Sequence, residues 1–395
     1  MPRHAHAPLP FPDEMARWDE AAAKLGILPE ILMENASREA LRVLTESVGS
    51  VRNRRVLVLA GPGNNGGDAF ALARHLDCAG AEVRLAHTKP LSGYRREAGY
   101  NVRLARRLGL DTSLVGERNL ARLAAEWIMW RPDIVVDGLL GTGFSGQLSP
   151  FFARLVQTVN ALRETAFVLS LDVPSGLSAR DGRPCPDAVR AHATATFEAA
   201  KFGLALPWAA AHTGWLHVRP IGIPPQAKAA APASAALLGP ETLGLLPHVS
   251  EAGHKGSYGH VLILGGSFGL TGAPVLAALG ALRSGAGLAT VGCPSGLAYH
   301  LKAGVPDVMT LAKGINNAAL PLGRTEGARD FLRRLLAEKE LPPLMLDADA
   351  LYWLAETPDL PPLPAGAIVT PHPREAARLL DTDAAQVPAD RYAAV

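Results

Sequence analysis

Apolar residues recur at helical spacing from Glu14 to about Val48, and Gly26 and Pro29 interrupt the run, so two helices are predicted ahead of the first strand. They are expected on one edge of a sheet. A repeated unit follows, in which a β-branched apolar run leads into a glycine-rich turn and then an amphipathic stretch. It occupies residues 56–76, 133–161 and, beginning with its strand, 166–172. That alternation predicts a Rossmann-like, three-layer α/β domain, a parallel sheet with helices on both faces. The pattern lapses near Ile223-Pro224-Pro225, and residues 226–238 are rich in Ala and Pro with little beyond small side chains. A first domain over 1–225, a linker over 226–238 and a second domain over 239–395 are therefore expected. A second α/β pattern opens at Val261-Leu262-Ile263-Leu264, continues through an Ala-rich helix at 273–284 and a strand at 288–291, and shares no obvious repeat with the first.

Length supports the division, since 395 residues exceed the roughly 250–300 over which a single core grows. With 48% hydrophobic and 19% charged residues, the chain has ample apolar surface to bury, and disorder is excluded. Lys and Arg number 39 against 37 Asp and Glu, a formal charge of +2, which supplies no field for nucleic acid or an anionic membrane. Small molecules are the expected partners, and a homo-oligomer is compatible with this composition. Cys78, Cys185 and Cys293 are far apart without a C-x-x-C pair, so neither a disulfide framework nor a zinc knuckle is expected and a cytoplasmic location fits. From Met1 to Glu20 the chain is polar and Pro-rich, and no stretch reaches the about 18 apolar residues of a membrane span.

Gly61-Pro62-Gly63-Asn64-Asn65-Gly66-Gly67-Asp68 lies between a strand at 56–60 and a helix predicted over 69–76, so backbone N–H groups and the positive helix end face whatever sits there. The pattern G-x-G-x-x-G is met. The acidic residue that a dinucleotide fingerprint wants after the second strand is not, because that strand, 82–87, leads into Thr88-Lys89. An ordinary NAD dehydrogenase is disfavoured. A tight turn that merely needs glycines is the plain alternative, but it has no use for paired Asn residues and a following Asp. Two more loops, Asp137 to Gly146 and Asp172-Val173-Pro174-Ser175-Gly176, also follow apolar strands. Singly, a strand-terminal Asp reads as well as a helix cap or turn former. Three such loops at the carboxyl ends of parallel strands point to a ligand crevice.

Glu14-Met15 with Trp18-Asp19, Leu32-Met33-Glu34-Asn35-Ala36, the run Gly61 to Asp68, the run Asp137 to Gly146, Leu171 to Gly176, and Phe197 with Lys201-Phe202-Gly203-Leu204 resemble, in order, the NAD(P)HX epimerase (YjeF N-terminal) family. The resemblance spans roughly Glu14 to Pro225. It implies that a potassium ion and the hydrated cofactor NAD(P)HX share the crevice, with Asn65, Asp137 and Ser175 as cation ligands, and oxygen donors suit a hard cation. It also implies that Asn64, Asn65, Gly66, Gly67 and Asp68, then Gly141, Thr142, Gly143, Phe144, Ser145, Gly146 and Gln147, and Asp172 line the NAD(P)HX site. Ala69 stands where the family often has a further glycine. Interconverting R and S forms at the hydrated ring carbon needs proton transfer and stabilisation of a cationic ring, which a carboxylate supplies. Asp172 is the first candidate for that role. Lys201 is a second catalytic candidate, to contact phosphate or orient Asp172, although a lone Lys near a strand end is commonly just solvated.

His254 to His260, Gly265-Gly266-Ser267, Thr271-Gly272-Ala273-Pro274, Arg283 to Gly287, Met309-Thr310, Asp347 to Leu351 and Thr370-Pro371-His372-Pro373 with Glu375 resemble the ADP- or ATP-dependent NAD(P)HX dehydratases. A partial ribokinase-like α/β fold is implied, with Ala273, Gly323 and His372 at a second hydrated-cofactor site. Read without that family, Gly265-Gly266 is a βα turn, Asp347 and Asp349 are caps, and His372 between prolines is a rigid corner. Two departures stand out. The family's strand and G-P-G-L-G loop are replaced by polar 313–317 and Ala318 to Arg324, and the sequence stops at Val395 ahead of the lysine-glycine segment and the G-T-G-D motif that carries the family's catalytic base. Arg374 also replaces a usual glycine. The expectation is an epimerase with a truncated, inactive dehydratase-like appendage. A non-catalytic nucleotide-binding or scaffold protein is the alternative, and a small-molecule kinase is a third reading.

Overall fold

The computed structural model describes residues 6–246, 250, 252–267, 269–311 and 323–389. They fall into two compact units, Met1–Leu246 and Pro247–Val395.

The first unit begins with β1 (His6–Pro8), α1 (Pro12–Lys24) and α2 (Pro29–Val48), followed by β2 (Arg55–Ala60), α3 (Asn64–Cys78), β3 (Glu82–His87), α4 (Arg96–Arg107), β4 (Asp111–Leu114) and α5 (Leu120–Trp130). Next come β5 (Ile134–Gly138), α6 (Pro150–Leu162), β6 (Phe167–Leu171), β7 (Ala193–Phe197), α7 (Ala210–Thr213), β8 (Trp215–Arg219), α8 (Pro225–Ala230) and β9 (Ala236–Leu238). Seven parallel strands pair in the order β4-β3-β2-β5-β6-β7-β8. The chain winds outward from β2 to β4 and returns to lay β5 on the other side of β2. This reversal opens a crevice beyond the carboxyl ends of β2 and β5, where ligands of open α/β sheets bind.

Alternating side chains of the central strands feed two cores. Val56 and Val58 pack with Val43, Leu44, Phe70 and Val102, whereas Leu57, Leu59 and Val135 pack with Leu123, Trp127, Leu155 and Val156. Helices therefore cover both faces, as the pattern predicted. The expected edge position of the first two helices is corrected for α2, which lies across a face, against α3 and α4 and over β6, β7 and β8. Its buried stripe of Leu32, Met33, Ala36, Ala40, Val43 and Leu44 runs the length of the helix, and only a broad apolar surface can cover it.

The stretch 226–238, expected as a linker, is folded onto the first unit, which runs on to Leu246 rather than closing at Pro225. Helix α8 packs on α1, the indole of buried Trp18 donates to Ala231 O at 2.6 Å, and buried Glu14 accepts from Ser234 N at 3.1 Å. Strand β9 pairs antiparallel with β1, and Lys228 forms an ion pair with buried Glu198. Backbone groups and charges anchor this segment, so its sequence carries no apolar period to read.

The second unit holds β10 (His260–Leu264), α9 (Gly272–Arg283), β11 (Leu288–Gly292), α10 (Ala298–Gly304) and β12 (Met309–Leu311), whose strands form a parallel sheet in the order β10-β11-β12. Ala278, Ala289, Val291, Cys293, Leu297 and Leu301 form its core. There follow α11 (Glu326–Leu336), β13 (Met345–Leu346), α12 (Asp349–Glu356), β14 (Ile368–Val369), α13 (Pro373–Leu379) and α14 (Gln386–Ala389), with β13 and β14 parallel. Ile368 is 54% exposed. The replaced strand at 313–317 and the loop residues 318–322 lie outside the described residues. Among the described residues, no helix is long and apolar enough to cross a membrane.

Trp18→Ala is expected to lower the unfolding free energy of the first unit by about 3–5 kcal/mol, as for other aromatic-to-alanine changes in cores. Urea denaturation checks this, and a near-zero change would show that the 226–238 segment is not docked on α1 in solution.

Candidate active site

Three strand-end loops meet at the crevice, and glycines let them approach. A Cβ on Gly61 would fall 1.5 Å from Leu139 O, and one on Gly66 would fall 2.0 Å from Gly61 O. Gly67 likewise faces Met33 Sδ at 2.8 Å. None of Gly61, Gly63, Gly66 and Gly67 has positive φ, so Gly61, Gly66 and Gly67 serve close approach rather than a left-handed turn, while a Cβ on Gly63 would meet nothing within 4 Å. Helix α3 starts at Asn64, five residues ahead of the predicted 69, so Asn64 to Asp68 form its first turns instead of a loop. The small residues hid that start, because glycine weakens any helical signal.

Asp137 at the end of β5 is fully buried. Its carboxylate accepts from Ser170 Oγ at 2.8 Å, Ser175 N at 2.9 Å, Ser175 Oγ at 2.5 Å and Leu139 N at 3.3 Å. Burial still pushes its carboxyl above the usual range, against those hydrogen bonds. Asn65 Nδ2 donates to Leu140 O at 2.9 Å, and Ser175 Oγ accepts from Leu140 N at 2.8 Å. The three expected cation ligands thus converge on one peptide segment. Asn65 Oδ1 is buried without a partner. An orphaned buried acceptor is costly, and a bound cation would satisfy it. Amide, hydroxyl and carboxylate oxygens suit a hard, weakly charged ion. Among the described residues no group of three or more His, Cys, Asp or Glu side chains is placed to hold a metal.

Asp172 follows β6 with φ 62, a left-handed conformation rare for a residue with a Cβ. Its Oδ1 accepts from Lys201 Nζ at 2.5 Å, and its Oδ2 from Thr142 Oγ1 at 2.6 Å and Thr142 N at 3.2 Å. Lys201 is 1% exposed, so it is not a solvated lysine. Its remaining donors go to Thr196 Oγ1 and Phe197 O, both at 2.9 Å. Burial would raise the Asp172 carboxyl, but the Lys201 ammonium and the hydrogen bonds from Lys201 and Thr142 outweigh it and hold the group below its ordinary value. A Cβ on Gly141 would lie 3.2 Å from Asn65 Cβ and 3.3 Å from Asp172 Oδ2, so Gly141 fills the narrow gap between them. Beyond Thr142 the loop opens outward: Gly143, Ser145, Gly146 and Gln147 are exposed, while Phe144 packs against the core under α6.

The carboxyl of half-buried Asp68 is pushed well above its ordinary range, by burial first and then by the charges of Asp172, Asp19 and Glu97, with Lys201 opposing. Asp19 on α1 is raised to about 6 by burial and by Asp172, Glu198 and Glu97, again against Lys201. Sequence reasoning did not place Asp19, Glu97 or Thr196 at the site. They arrive from α1, α4 and β7, and no local spacing links those elements.

The model of the YjeF-related protein N-terminus matches residues 29–203, and that of NAD(P)H-hydrate dehydratase matches residues 261–391. A bifunctional NAD(P)H-hydrate repair enzyme of Moorella thermoacetica is 37% identical over 96% of this chain and 76% of that protein. The chain belongs to the bifunctional NAD(P)H-hydrate repair enzyme family. Its relatives of the same description in Pyrobaculum aerophilum (35% identical over 97% of this chain and 77% of that protein) and Leishmania braziliensis (34% over 95% and 72%) cover both units as well.

In the second unit of this repair-enzyme family member, Ala273 lies in the first turn of α9, Gly323 lies against α12, and His372 follows β14. Gly323 O accepts from Trp353 Nε1 at 3.1 Å. His372 caps α13: its Nδ1 accepts from Arg374 N at 3.2 Å and from Glu375 N, while its own N–H donates to Glu375. Asp349 accepts from Arg324 Nε at 3.0 Å. No hydrogen bond joins Ala273, Gly323 and His372 among the described residues.

Gly66→Ala is expected to destabilise the first unit by at least about 1–3 kcal/mol, because a backbone carbonyl must move to admit the methyl. Denaturation of the variant measures it, and wild-type stability would show that the β2 and β5 loops stand further apart.

Proposed function

We propose that this protein repairs hydrated nicotinamide cofactors, its first unit interconverting the R and S forms of NAD(P)HX. The observation that carries the reading is the fixed ion pair of Asp172 and Lys201 beside the first turns of α3, in the crevice at the sheet reversal. Breaking the bond from the hydrated ring carbon to its oxygen leaves a positively charged ring. An ionised carboxylate held in place before the charge develops stabilises that ring without reorganisation. Lys201 holds Asp172 ionised and aimed. The amide N–H groups at the start of α3 and the 141–147 loop suit the substrate's phosphates. A potassium ion at Asn65, Asp137 and Ser175 would supply positive charge at the crevice floor. Asn65 and Ser175 both touch Leu140, so this would also order the backbone that leads to Thr142. In the second unit, Ala273, Gly323 and His372 are the candidate contacts for the hydrated cofactor.

The test is chromatography of NADHX enriched in one epimer. The protein is expected to speed equilibration of the R and S forms, and no acceleration would favour the binding-protein reading. Asp172→Asn is expected to slow the reaction by about 10²–10³-fold, the loss seen when one fixed electrostatic group is removed. An unchanged rate would withdraw Asp172 from the chemistry.

Potassium is expected to raise the thermal midpoint of the protein over choline at equal ionic strength, and Asp137→Ala to abolish that difference. Equal midpoints in both salts would remove the cation from the site.

A further inference from the structure

Asp172 is poorly placed to carry a proton. Lys201 and two donors of Thr142 occupy both of its oxygens, and protonating it would break the pairing that makes the buried ammonium tolerable. Asp68 is the opposite case. It has no side-chain hydrogen bond or ion pair among the described residues, and it keeps a reachable, half-buried surface. It lies three positions after Asn65 on α3, on the same helix face, and Asn65 borders Gly141, which in turn borders Asp172. We infer that Asp68 is the catalytic residue that exchanges a proton with the substrate oxygen, while Asp172 remains an ionised counter-charge. This rests on the epimerase reading of the site.

The charged groups that face Asp68 are Asp172 beyond β6, Asp19 on α1, Glu97 on α4 and Lys201 beyond β7. With Asp68 itself, four carboxyls against one ammonium favour keeping a proton among them, and the ammonium is already committed to Asp172. Two carboxyls in one crevice are thus driven apart, one held below the ordinary carboxylate range and the other pushed above it. In the reaction, Asp68 gives its proton to the hydroxyl on the hydrated carbon. The carbon–oxygen bond breaks, its electron pair leaves with water, and the ring nitrogen's lone pair forms the cationic carbon–nitrogen double bond. Water then adds to the other face of that carbon. The surplus proton returns through solvent to the Asp68 carboxylate, so nothing is consumed.

The test compares R/S equilibration of NADHX by the full chain carrying Asp68→Asn or Asp68→Ala with that by wild type. Asp68→Asn is expected to lower kcat by about 10²–10⁴-fold with KM within a few-fold, the usual range for a lost general acid. Wild-type kcat should fall as pH rises through the Asp68 pKa, and Asp68→Asn should lack that limb. Asp68→Ala should regain activity when formate is added, since a small carboxylic acid fits the space vacated. A wild-type kcat in Asp68→Asn, a loss confined to KM, or no recovery with formate would each overturn the inference. Absence of epimerisation by the wild type would instead bring down the epimerase reading, and this inference with it.

Discussion

The ammonium of Lys201 is tolerated at 1% exposure only because the Asp172 carboxylate, a threonine hydroxyl and a carbonyl take up its three donors. Much of the first unit's site follows from that requirement. Asp172 has to leave β6 in a left-handed turn to reach the ammonium, Thr142 has to cover the other carboxylate oxygen, and Thr196 has to face inward from β7. Removing either charge would leave the other buried and unpaired, which costs far more than the pair contributes net.

Crowding at the sheet reversal is the second constraint. The loops after β2 and β5 come within van der Waals distance, and Gly61 N donates to Gly138 O at 2.9 Å. The crevice floor is therefore rigid backbone rather than adaptable side chain. Buried Asp137 ties that floor to the Ser175 loop by accepting from Ser175 N and Ser175 Oγ, and it also accepts from Ser170 Oγ and Leu139 N. Asn65 Oδ1, left without a donor, is the one place where this network asks for something from outside the chain. A rigid floor with an unfilled acceptor suits a preorganised site.

These features suit the proposed chemistry on a cationic ring. One carboxyl is held below its ordinary range by fixed donors and another is pushed above it by burial and like charge, the pairing that the proposed chemistry needs for a counter-charge and an acid in one crevice. Neither state depends on an unusual residue. Each is set by neighbours drawn from different layers of the fold.

The sequence by itself determined the alternating pattern, and with it the parallel three-layer sheet and the glycine loops at its carboxyl ends, while its resemblance to the epimerase family pointed to the candidate residues Asn65, Asp137, Asp172, Ser175 and Lys201. Those signals are local: strand and helix periods record which face is buried, and Gly61 to Asp68 records a close approach within a few residues. Only the tertiary structure decided that Lys201 is buried against Asp172, that Asp19 and Glu97 face Asp68, and that residues 226–238 close over α1. A side chain's partner across the fold depends on how distant elements stack. The anchoring of 226–238 runs through backbone hydrogen bonds, Ser234 on Glu14, the Lys228–Glu198 ion pair and small buried Ala227, which leave no strong period in the sequence to read.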